Sequence, residues 1–182
     1  KTLELDEKPL SLIYDNKKDR FLILTPKNIY EFSLDSLSLR NIYKGKGLTC
    51  FEYYQEKIWV GSNNGIYQLE SKNFSVLKII NELPYNEITS LKQINGILWA
   101  GSTRGAFKFR SDGKFDYYAS KRWLLDNRVI TINSGPDESV FILTKKGLNK
   151  IAFKAITLEQ KARYFQGIQR KRHIRYGLES SV

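Results

Sequence analysis

The sequence predicts an all-β fold, a β-propeller segment of about four four-stranded blades followed by a C-terminal amphipathic helix, and three observations carry that prediction. A hairpin-like stretch returns at a near-constant interval. Runs of β-branched, aromatic and aliphatic residues recur before and after each copy, with polar turn material between them. The repeating unit is about 40 residues long and holds about four short strands, the size and content of one propeller blade, which buries its faces only against its neighbours.

The clearest copy of the stretch is Leu98-Trp99-Ala100-Gly101-Ser102-Thr103-Arg104-Gly105-Ala106-Phe107. Forty positions earlier, Trp59-Val60-Gly61-Ser62 followed by Gly65-Ile66 repeats its pattern. Downstream, Phe141-Ile142-Leu143-Thr144-Lys145-Lys146-Gly147-Leu148 keeps the aromatic residue, the hydroxyl and the final glycine. Upstream, Leu22-Ile23-Leu24-Thr25-Pro26-Lys27-Asn28-Ile29 keeps the hydroxyl and has Asn28 in place of that glycine. Glycine and asparagine tolerate positive φ most cheaply, so the position is read as a turn residue in the left-handed region. About eleven positions before each copy lies the run expected to form the first strand: Leu10–Tyr14, Leu48–Phe51, Ile88–Leu91 and Val129–Ile132. Third and fourth strands are expected after the hairpin, as at Ile66–Leu69 with Phe74–Ile80 and at Ala106–Phe109 with Phe115–Tyr118.

These residues resemble the two-component regulator propeller repeat, whose W-x-G-S/T-x-x-G hairpin follows a turn of the Asn95-Gly96 or Pro136-Asp137 kind. The resemblance covers roughly residues 1 to 153 and is strongest in the second and third repeats. It weakens where Leu22 and Phe141 replace tryptophan and where Leu24 and Leu143 replace the motif glycine. It implies an extracytoplasmic location, periplasmic or secreted, and a role in ligand sensing for signalling. The same repeat occurs in secreted polysaccharide-degrading proteins, so the propeller part of a polysaccharide lyase or glycoside hydrolase is the alternative.

Residues 1–153 are read as the repeats and 154–182 as a basic helical tail or a linker to a further domain. Thr2–Pro9 looks like the outer strand of a preceding blade. It either pairs with the last repeat, which has no evident fourth strand, or marks the chain as a piece of a larger ring, the reading preferred here. Open blades expose strand edges and inner faces, so missing blades, a partner chain or self-association is expected to cover them. Thr157-x-x-Gln160 has the form of a capping box, and Leu158, Ala162, Phe165 and Ile168 then fall on one stripe, which predicts a helix over residues 157 to about 172. The chain starts at Lys1 and contains no methionine, which suggests a processed protein or a segment of a longer one. No apolar run reaches the roughly 18 residues of a membrane span.

The catalytic inventory is thin. The one histidine, His173, lies in the basic tail, and the one cysteine, Cys50, lies in an apolar run. No metal site and no cofactor are expected, and no carboxylate pair stands out. Trp59 and Trp99 recur at one blade position and are read as core. Trp123, flanked by Lys121 and Arg122, is instead a candidate for stacking on a sugar. The residues between each hydroxyl and its glycine form turn tips that gather on one face of a propeller. They place Lys27, Asn63, Asn64, Thr103, Arg104, Lys145 and Lys146 there as candidate ligand-binding residues. With a net charge of +11, this cationic face suits an anionic glycan or oligosaccharide. The tail carries seven Lys or Arg against one acid between Lys154 and Arg175, yet no nucleic-acid motif accompanies it, so nucleic acid is not the expected partner.

Overall fold

The computed structural model describes residues 4–153 and, in the tail, Leu158, Glu159, Ala162, Arg163 and Gln166. One compact unit spans Lys1–Ile151 and a second spans Ala152–Val182. The five described tail positions are helical; the remainder of the helix expected over 157 to about 172, and His173, lie outside the described residues.

The first unit is built from fifteen strands: β1 (Ser11–Asp15), β2 (Arg20–Leu24), β3 (Asn28–Ser33), β4 (Ser38–Lys44), β5 (Leu48–Tyr54), β6 (Lys57–Ser62), β7 (Gly65–Glu70), β8 (Val76–Ile80), β9 (Ile88–Ile94), β10 (Ile97–Ser102), β11 (Gly105–Phe109), β12 (Phe115–Tyr118), β13 (Val129–Ser134), β14 (Val140–Thr144) and β15 (Gly147–Ile151). A single helical turn, α1 (Ser120–Trp123), lies in the connection before β13. The strands form four antiparallel meanders in chain order, β1 to β4, β5 to β8, β9 to β12, and a three-stranded β13 to β15. Among the described residues the last sheet has three strands, and the sequence likewise showed no evident fourth. Successive first strands pack on one another, β5 on β1, β9 on β5 and β13 on β9.

Residues 4–9 form no strand, contrary to the reading of Thr2–Pro9 as an outer strand. Here the Glu7 carboxylate instead accepts the Thr25 hydroxyl at 2.7 Å and the Lys27 backbone N–H at 3.2 Å. This hydrogen bond from Thr25 holds the Glu7 carboxyl below its ordinary pKa.

The repeated hydroxyl closes three of the four tips. Ser62, Ser102 and Thr144 each donate to the backbone carbonyl three residues on, at 3.0, 2.9 and 2.8 Å, and so close the β6–β7, β10–β11 and β14–β15 turns. Thr25 has one proton to give and directs it to Glu7 at 2.7 Å, with the Asn28 carbonyl farther away at 3.2 Å. Gly65, Gly105 and Gly147 take φ of +114°, +145° and +145° as expected. Asn28 does not adopt positive φ. Pro26 offers no N–H, Glu7 takes that of Lys27, and Asn28 N–H bonds to Thr25 Oγ1 at 3.0 Å, so this turn has another shape.

Between sheets lie three apolar clusters. Leu22, Leu24 and Ile29 of the first sheet meet Leu48, Phe51, Ile58 and Val60 of the second. Trp59 and Ile66 meet Leu91, Leu98, Ala100 and Phe107 of the third. Trp99 and Ala106 meet Val129, Ile132, Val140 and Ile142 of the fourth. The motif glycine is needed where the next first strand comes closest: a Cβ on Gly101 would stand 2.4 Å from Val129 Cγ1, and one on Gly61 would stand 2.7 Å from Ile88 Cγ2. Leu24 fills the corresponding place between the first two sheets.

A charged cluster replaces apolar packing at one end of that first interface. The Arg20 guanidinium donates to Asp15 at 3.0 Å, to Glu31 at 3.2 Å and to the Ser71 carbonyl at 2.9 Å, and lies 5.1 Å from the Phe74 ring centre. All three charged residues are buried. The cluster thereby ties the first sheet to the β7–β8 turn of the second.

Candidate functional site

The four turn tips stand at the same end as the connections between sheets, because the two sets of backbone bond to each other. Gly45 N–H reaches the Lys27 carbonyl at 2.8 Å, Asn63 N–H that of Gly47 at 3.0 Å, Thr103 N–H that of Glu87 at 3.1 Å and Lys145 N–H that of Arg128 at 3.1 Å. Strand register thus decides which side chains surround this end.

At the junction of the third and fourth sheets the tip and the connections border an open polar pocket of about 440 Å³, lined by Glu87, Thr103, Arg104, Asp126, Asn127 and Arg128. Two of these, Thr103 and Arg104, are among the residues expected from the sequence. Glu87, Asp126, Asn127 and Arg128 are not; they sit in connections, where no repeat signal distinguishes them. The Lys145–Lys146 tip is exposed and adjoins the pocket through its bond to Arg128. Lys27, Asn63 and Asn64 belong to the first two sheets and do not line it. Lys27 is committed instead to Glu7, 3.4 Å away.

Arg104 is held in place from beneath. Its backbone carbonyl accepts the Tyr117 hydroxyl, its N–H bonds to Ser102 Oγ at 3.2 Å, and its guanidinium lies 5.7 Å from the Tyr85 ring centre. Burial pushes the Tyr117 phenol above its ordinary pKa, so it remains a donor at neutral pH. Thr103 donates to Glu87 at 2.9 Å. The pocket therefore sets two guanidinium groups beside two carboxylates, a hydroxyl and an amide. Such a set suits a ligand that carries both an anionic group and hydroxyls, since guanidinium forks recognise carboxylates and carboxylates accept hydroxyl donors.

Trp123 stands on α1, 46% exposed overall, with its ring edge-on to Tyr118 at 5.4 Å and the Arg122 guanidinium 5.3 Å from its centre. It does not line the polar pocket. A second groove of about 480 Å³, lined among others by Tyr54, Trp59, Gln68, Lys78, Phe109 and Phe115, opens between the second and third sheets. It is floored by core aromatics and was not foreseen, because its walls belong to two different repeats. A third space of about 260 Å³ lies among the four first strands. There Glu52 pairs with Lys92 at 3.3 Å, and burial raises the Glu52 carboxyl above its ordinary pKa.

Burial pushes the Cys50 thiol up to about 12, so it carries almost no thiolate at neutral pH. Among the described residues no group of three or more His, Cys, Asp or Glu converges as metal ligands.

No family model matches this chain, and no curated protein does either. Solved structures do. The WD40 β-propeller domain of Doa1 superposes with a TM-score of 0.67 at 12% identity, over 82% of this chain and 52% of that one. The chain has a β-propeller fold. Its four sheets are successive blades, and the end carrying the tips is one face of the propeller. The extracellular domain of BT4673 from B. thetaiotaomicron, a two-component or one-component system protein, superposes with a TM-score of 0.70 at 16% identity over 82% of this chain. This chain spans only 22% of that domain's length. An H270A virginiamycin B lyase from Staphylococcus aureus, catalytically inactive and crystallised with quinupristin, gives a TM-score of 0.61 at 17% identity, over 82% of this chain and 57% of that one.

Proposed function

We propose that this chain is a non-catalytic, extracytoplasmic sensing module whose blades bind an anionic carbohydrate at the tip face between blades 3 and 4. The observation that carries the reading is the pocket in which Arg104 and Arg128 stand beside Thr103, Asn127, Glu87 and Asp126. Guanidiniums would hold a uronate carboxylate, and the neutral and acidic groups would take the sugar hydroxyls. The likeness to an extracellular sensor domain and the repeat motif both support the location and the sensing role.

The second reading, a propeller belonging to a polysaccharide lyase or hydrolase, is favoured by the likeness to a lyase. An absorbance assay for unsaturated uronate product separates the two readings.

Isothermal titration of a glycan-array hit, with acidic oligosaccharides as the probe set, tests the proposal. Removing one charge-assisted contact costs about 1.5–3 kcal/mol, so Arg104→Ala and Arg128→Ala are each expected to weaken binding by about tenfold or more. Lys145→Ala, outside the pocket wall, is expected to weaken it less. Affinity unchanged in both arginine variants would remove the proposal.

A further inference from the structure

A ring that fills the interface between blades 3 and 4 has no counterpart between blades 2 and 3. In blade 3 the cross-strand row Lys92, Trp99, Lys108, Asp116 is matched in blade 2 by Glu52, Trp59, Gln68, Lys78. Beyond Asp116, on the same face and opposite Ala106, stands Tyr118; blade 2 has Ile80 there, opposite Ile66. The Tyr118 ring lies 5.4 Å from that of Trp99, Leu124 packs in the same cluster, and Trp99 is 1% exposed. Beside Trp59 the smaller isoleucine leaves room. The groove of about 480 Å³ occupies it, lined by Trp59, Ile80 and Leu83 and, from blade 3, by Phe109 and Phe115.

The rim of this groove carries charge that the protein leaves unmatched. Gln68 and Lys78 continue the row outward from Trp59, and Glu82 and Arg110 line the same space. Arg110 stands 3.6 Å from both Asp112 and Asp116. Lys78 and Glu82 are exposed and form no ion pair with each other or with any other described residue. Register explains the lysine: blade 3 sets Asp116 opposite Lys108, whereas blade 2 sets Lys78 opposite the neutral Gln68. An aromatic slot with one unmatched charge of each sign at its rim complements a ring that carries a carboxylate and an ammonium group.

We propose that the groove between blades 2 and 3 binds an aromatic amino acid. The ring enters the slot that Tyr118 fills in the next interface, the carboxylate meets Lys78 and the ammonium meets Glu82. Both walls come from adjacent blades, within residues 54–115. No residue lining the polar pocket at the tips lines this groove, so the site holds whether or not an acidic carbohydrate binds there.

The test is isothermal titration of the intact chain with L-phenylalanine and with three analogues: phenethylamine lacks the carboxylate, hydrocinnamate lacks the ammonium and L-leucine lacks the ring. Phenylalanine is expected to bind, and each analogue to bind at least tenfold more weakly. Ile80→Tyr, which supplies from the chain itself the ring that blade 3 has, is expected to abolish binding. Lys78→Ala and Glu82→Ala, both at exposed side chains, are expected to weaken it at least tenfold with the urea midpoint unchanged. Arg104→Ala is expected to bind phenylalanine as the wild type does, which separates this site from the carbohydrate pocket. A wild type that does not bind phenylalanine, a folded Ile80→Tyr variant that binds it as tightly, unchanged affinity in both charge variants, or equal affinity for any of the three analogues would each overturn the proposal.

Discussion

Arg20→Ala is expected to destabilise the propeller by about 3–5 kcal/mol, the cost of breaking a buried ion pair from one side. The magnitude follows from what the substitution leaves behind. Asp15 and Glu31 are buried, and Arg20 supplies a charged donor to each, at 3.0 and 3.2 Å. The Ser71 carbonyl also loses its 2.9 Å contact, and Phe74 loses the cation packed on its face. Arg40, the second cation on Glu31 at 2.8 Å, has a side chain 69% exposed and is screened by water. Arg40→Ala is therefore expected to cost about 1 kcal/mol or less. Urea unfolding of the wild type and the two variants checks the contrast. Replacing Asp15, Arg20 and Glu31 together by apolar residues of similar volume is expected to recover most of the loss, since the partners then disappear together. An Arg20→Ala variant as stable as Arg40→Ala would show that the cluster is solvated and contributes little.

Trp99→Ala is expected to cost a comparable 3–5 kcal/mol, through lost transfer free energy and the cavity left behind. Trp99 is 1% exposed and is enclosed by Tyr118, Leu124, Val129, Ile132, Val140 and Ile142, with the Tyr118 ring 5.4 Å away. Its counterpart Trp59 occupies the same strand position but borders the groove between blades 2 and 3. Truncation there enlarges a space already open to water and leaves a smaller dry void, so Trp59→Ala is expected to cost clearly less. Urea midpoints measured side by side decide it, and equal losses at the two sites would mean that the groove closes in solution. The pair also bears on function: Trp59 packs between blades through Tyr54 and Phe109, at 5.9 and 6.1 Å, which is a core role.

Much of this architecture was legible in the sequence because the same physical task recurs in each blade. A hydroxyl must close the tip, a residue at positive φ must follow it, and a large side chain must fill the gap to the next blade. Ser102, Gly105 and Trp99 announce these tasks together, and every other copy keeps some of them. The first tip was misread at Asn28 because its shape is set by Glu7, eighteen residues before Thr25 and outside the repeat. Arg20 was overlooked since a lone arginine beside Asp19 looks like solvated turn material, and only the fold brings Asp15, Glu31 and Ser71 around it. Two of the six residues lining the candidate site were legible. Thr103 and Arg104 are tip residues with a periodic address, whereas Glu87 and Asp126–Arg128 lie in connections of unequal length and meet only when blades 3 and 4 pack. The equivalence of Leu24 and Leu143 at the motif-glycine position was legible in the sequence, whereas their different burial, 0% and 37% exposed, needed the fold.

We propose recognition by the tip face of the negative charge of a sugar acid. It is tested most directly by titrating the chain with an oligogalacturonate and with the same oligosaccharide after reduction of its carboxyl groups to alcohols. Binding of the acid, weakened at least tenfold by carboxyl reduction and by added salt, is the predicted result. Equal affinity for the acidic and the reduced sugar, or for neither, would contradict it.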